Sequence, residues 1–189
     1  MGLSTFYQSI EQSIEQKNYY AEISTTLILI DICSKVEYPN IVEQNKRYKK
    51  WINNYYLEFI PKDLKNKYLD AENIYFLRNA ILNQGSSNPN TTDYYQKYGK
   101  QIVFDIIPTV FPSTLNKKIF TATAPQRSSL YPDLFFDIHY FCQSVINSVK
   151  SWEEDNREKI EKNKELFFSI AIAGIDKHNP NKMVIMRKI

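Results

Sequence analysis

A chain of 189 residues that is 43% apolar and 24% charged fits one domain with a buried core, and its composition excludes a disordered chain. The net charge is +3, and residues 1–100 carry 12 Lys and Arg against 11 Asp and Glu, so no basic arm marks a nucleic-acid binder. The two cysteines (Cys33, Cys142) and two histidines (His139, His178) form no CxxC or Cys/His cluster, so no metal or cofactor is expected.

The start, "MGLSTFYQSIEQ", lacks the basic residues and long apolar segment of a signal peptide, and "LFFSIAIAGI" is too short to cross a bilayer. A cytoplasmic protein without membrane contact is expected. Residues 3–16 form or extend a first helix. From Asn18 to about Ser34, Tyr20, Ile23, Leu27 and Ile30 follow one helical face, widened by Ile28 and Leu29. Asp31 lies near that stripe, where a rim carboxylate bonds a neighbour. Cys33 falls in this pattern and Cys142 in a later one; both are expected buried and reduced.

Pro39 breaks the pattern, and a second long helix over 41–60 turns Val42, Tyr48, Trp51, Ile52, Tyr55 and Phe59 inward. Lys46, Arg47, Lys49 and Lys50 cluster on or beside its outer face, either as a solvated surface or as a phosphate-binding one. Pro61 ends the helix, and a lysine-rich connection occupies 62–69. Asp70 caps the next helix, with Glu72 in its first turn and Gly85 just past its end. "SSNPNTTD" (86–93) is a loop.

The β-branched and aromatic runs 100–111 and 116–123 predict a β-hairpin or two short strands. Helical spacing returns from about Asp133, placing Phe136, His139, Tyr140, Gln143, Ile146 and Val149 on one arc, with Phe135, Cys142 and Val145 extending it. A charged helix over 153–166 comes next. In the tail 176–189, "KMVIMRKI" suits a strand, hairpinned through "KHNPN". The whole reads as one mainly α domain over 1–189, a helical bundle with a small β-hairpin insertion at about 100–123.

One stretch carries more than packing. In "YFLRNAILNQG" (75–85), Arg78 lies at the border of the face formed by Ile74, Leu77, Ala80 and Ile81. Asn79 and Asn83 lie one turn apart, away from the core. A guanidinium fork suits phosphate, or else a structural bond to a carboxylate or carbonyls. The pattern Y-x-x-R-N-x-x-x-N-x-G resembles the signature helix of HEPN-like domains, whose motif is Arg, four residues, then His, with a polar residue after the Arg. "FDIHYFCQSVINSVKSWEEDN" is similar to a later helix of an uncharacterised bacterial subgroup of that family. The resemblance spans roughly residues 20–165.

The resemblance implies a HEPN-like bundle, a homodimer through the motif helix, and a metal-independent endoribonuclease site in which arginine steadies the phosphorane and histidine moves protons. Arg78 and Asn79 match, but Asn83 stands where the family has histidine. An amide does not titrate near neutrality, so a degenerate site with little or no turnover is expected. General acid–base catalysis is typically worth about 10²–10⁴ in rate. His139 is a candidate replacement base or a satisfied core residue; Tyr75 titrates too high to serve unaided. Three functions are open: a degenerate module binding RNA, nucleotide or a protein partner; a weak or partner-activated ribonuclease; or a structural helical adaptor in which Arg78 is internal glue.

Overall fold

A computed structural model describes residues 3–60, 70–85, 103–107, 119–122, 133–163, 171–176 and 179–187. The connection at 62–69, the loop at 86–93 and His178 lie outside the described residues. The helices are α1 (Ser4–Glu15), α2 (Tyr19–Glu37), α3 (Gln44–Trp51), α4 (Leu57–Phe59), α5 (Ala71–Gln84), α6 (Ile138–Asp155) and α7 (Arg157–Lys162). A π-helical turn, Ile52–Tyr56, joins α3 to α4. The strands are β1 (Val103–Ile107), β2 (Ile119–Ala122), β3 (Asp133–Asp137), β4 (Ala171–Asp176) and β5 (Asn179–Arg187). The protein is mainly helical.

Helix α2 is the axle of the bundle, packing against α1, α3, α5 and α6. It is buried on most of its circumference, from Ile23, Leu27 and Ile30 to Leu29, Cys33 and Val36, as expected of a helix enclosed by others. Asn18 caps its start by accepting from the Ala21 amide at 3.2 Å. The core also holds Tyr48, Trp51, Tyr56, Phe141 and Trp152, each at most 1% exposed. The Trp51 and Trp152 rings meet edge to face at 6.4 Å, and Tyr56 meets Phe141 at 5.6 Å, arrangements that favour the ring quadrupoles. Cys33 and Cys142 are both buried and free.

The π turn corrects the predicted inward arc. Its extra residue shifts the helical phase from that point on, so Tyr56 and Ile60 are buried while Phe59 is 49% exposed. Val42 is 90% exposed because the helix begins only at Gln44. Tyr20, expected inward, lies at the rim, where its hydroxyl donates to the Ile81 carbonyl near the end of α5. Ile28 also faces outward.

Helix α6 begins at Ile138 rather than near Asp133. Asp137 caps it by accepting from the Tyr140 amide at 3.0 Å, and the five residues Asp133–Asp137 form β3. Its buried stripe runs through Ile138, Phe141, Val145, Val149 and Trp152, which leaves Gln143 outside. Strand β3 lies between β1, parallel to it, and β2, antiparallel to it. The first two strands therefore do not form the expected hairpin with each other. Strands β4 and β5 pair antiparallel, as the tail suggested.

Helix α5 obeys its sequence signals closely. Asp70 accepts from the Asn73 amide at 2.8 Å, and Gly85 ends the helix at φ 64°, with its amide bonded to the Ile81 carbonyl at 3.1 Å. A Cβ there would meet nothing within 4 Å, so only backbone strain opposes a side chain. Gly85→Ala is expected to cost about 1 kcal/mol in a denaturant titration, and Gly85→Asn distinctly less.

Candidate functional site

Arg78 leaves α5 toward α2 and meets Asp31. Its Nε donates to Asp31 Oδ2 at 2.9 Å, its Nη2 lies 2.7 Å from the same oxygen, and its Nη1 donates to Asn79 Oδ1 at 3.1 Å. Both side chains of the ion pair are only 15% exposed. The other Asp31 oxygen, Oδ1, accepts from Gln44 Nε2 at 2.8 Å. One carboxylate thus ties α2 to α3 and α5. The pair rests beside Tyr48, whose phenol burial pushes well above its usual value, Asp31 adding to the shift and Arg78 opposing it. Tyr48 packs on Tyr75 at 5.5 Å between ring centroids.

Asn79 is half-buried and occupied by Arg78, whereas Asn83, one turn on, is exposed. The three motif residues therefore share a helix edge, but only Asn83 presents itself freely to solvent. The basic cluster is also engaged within the chain. Lys46 pairs with Glu43 at 2.8 Å, and Arg47 Nη1 donates to the Val42 carbonyl at 3.0 Å. Lys49 pairs with Glu72 at 2.9 Å, and Lys50 lies 4.6 Å from the centroid of the Tyr38 ring. The Lys46 pair is well exposed and worth about 0–1 kcal/mol; the half-buried Lys49 pair joins α3 to α5.

A second polar pair, Glu22 with His139, joins α2 to α6. Glu22, completely buried on α2, receives His139 Nδ1 at 2.8 Å on Oε1, while its Oε2 has no hydrogen-bond partner. Burial raises the Glu22 carboxyl above its ordinary range; the bond and charge of His139 pull it back, and Asp137 adds to the rise. Tyr19 packs at 5.8 Å from the imidazole. A signal was present: Glu22 heads the series Glu22, Thr26, Leu29 and Cys33, every member of which is buried. An acid on such a stripe needs a partner.

The two pairs do not combine. Nine residues separate Glu22 from Asp31 on α2, which at about 100° and 1.5 Å per residue places them on opposite faces, roughly 13 Å apart along the axis. His139 therefore belongs to the α2–α6 contact and does not stand beside Arg78 in the place of the motif histidine.

Among the described residues, no three His, Cys, Asp or Glu side chains are grouped to hold a metal ion, and no helix is long and apolar enough to cross a membrane. Comparison of the chain with family models, characterised proteins and solved structures finds no match.

Proposed function

We propose that this helical domain acts by binding a protein partner, as a non-catalytic adaptor, and that Arg78 serves the fold rather than a phosphate. The observation that carries this reading is the bonding of the guanidinium within the chain: each of its three nitrogens contacts Asp31 or Asn79. A phosphate would have to displace a carboxylate held by both Arg78 and Gln44. Asn83 adds no titrating group.

The exposure of Asn83 favours a second reading, a degenerate HEPN-like homodimer that holds RNA or a nucleotide along the edge of Arg78, Asn79 and Asn83. In that reading the guanidinium exchanges Asp31 for phosphate on binding.

Gel shifts with mixed RNA across a salt series, together with analysis of RNA ends after incubation, separate the two. For the adaptor, wild type and Arg78→Ala show the same weak retardation and neither produces cyclic phosphate ends. Salt-sensitive RNA binding that disappears in Arg78→Ala overturns it, because phosphate contacts weaken as salt rises.

A further inference from the structure

A groove of about 220 Å³ runs between the helix containing the π turn and the C-terminal half of α6. One wall carries Tyr55, Glu58 and Phe59; the other carries Ser151, Trp152 and Asp155 at helical spacing. Small-molecule sites usually measure about 300–1,000 Å³, so this one is too small for a nucleotide and suits a single inserted side chain. Ser151, exposed on α6, lines the groove with a small side chain.

The chemistry of the walls selects the occupant. Glu58 and Asp155 make no ion pair among the described residues, whereas Glu22, Asp31, Glu37 and Glu72 are each paired with a cation or a histidine. No basic residue lines the groove. Phe59 is 49% exposed beside the half-buried Tyr55, and Trp152 closes the floor with its indole N–H fixed to Glu37 Oε2 at 2.9 Å. Aromatic faces attract cations, and a planar guanidinium both stacks on them and bonds carboxylates. The geometry points to an arginine-acceptor groove, in which Tyr55 and Phe59 stack an arginine side chain of a partner protein while Glu58 and Asp155 hold its charge.

The inference rests on the adaptor reading and gives that adaptor a contact point. Its failure is distinguishable, because the Arg78 experiments do not involve this face. The test tracks the Trp152 indole N–H by NMR, assigned with Trp51→Phe, during titration with N-acetyl-arginine amide at low salt. The neutral isostere N-acetyl-citrulline amide serves as the control. A saturable shift with the arginine probe is expected, absent with citrulline and lost in Ser151→Leu. Glu58→Gln combined with Asp155→Asn is expected to weaken binding about five- to tenfold. No saturable shift, equal shifts with both probes, or full binding by the doubly neutralised variant overturns the assignment.

Discussion

Arg78→Ala is expected to lower stability by about 2–3 kcal/mol, a fall of roughly 5–10 °C in Tm for a domain of this size. The loss comes from the partner left behind. Without the guanidinium, Asp31 keeps Gln44 but loses its counter-charge while remaining largely enclosed between α2, α3 and α5. Its 15% exposure admits some water, which places the cost below the ~3–5 kcal/mol of a fully buried pair broken on one side. Asp31→Asn in the Arg78→Ala background removes the stranded charge and is expected to recover part of the loss. A double-mutant cycle read by urea denaturation checks this, and coupling near zero would show that the pair contributes nothing to the fold.

His139→Ala is expected to be as damaging at neutral pH and much less so in acid. Glu22 is fully buried, and burial already holds its carboxyl above the 4.5 of an unperturbed group. A carboxyl that titrates higher in the folded than in the unfolded state gives its full stabilisation below the unfolded value. That contribution is lost as pH rises through the folded value. His139 opposes the upward shift, so its removal raises the folded value further and deepens the loss at pH 7 to about 3 kcal/mol. Toward pH 4.5 the deficit should shrink to the packing loss of the ring alone. Glu22→Gln in the same background should flatten the pH dependence. Denaturant midpoints measured from acid to neutral pH for wild type and both variants decide the matter; a deficit unchanged with pH would rule out the stranded carboxylate.

Local signals in the sequence carried the helices further than they carried the site. Asp70, Glu72 and Gly85 mark both ends of α5 because capping chemistry acts within four residues. The break at Pro39 arises from ring geometry in the same way. The inward arc over 41–60 went astray at Phe59, since a helical period assumes uniform rise and a π turn adds a residue invisible to that count. "DLFFD" continues the apolar spacing of α6 backward, so periodicity alone does not separate this strand from the first turns of a helix. The site was harder. Arg78 and Asp31 were each legible as groups in need of a partner, yet 47 residues separate them, and 117 separate His139 from Glu22. Nothing in local periodicity pairs charges at those distances. Only the packing of α5 and α6 on opposite sides of α2 does so.

The i→i+5 bond that the Leu57 amide donates to the Ile52 carbonyl has a bearing on how this chain tolerates length changes. Deleting one residue within the turn would regularise the helix and keep Tyr48 and Trp51 before it, and Tyr56 and Ile60 after it, on the core, because the turn already absorbs one surplus residue. Forcing the same residues into a continuous α-helix would instead turn everything beyond by about 100°, swinging Tyr56 and Ile60 off the core and Glu58 and Phe59 from the lip opposite Asp155. The cleft thus depends on one surplus amino acid being taken up inside a single wide turn, and that turn is where the helix can lose a residue and keep its far end in phase.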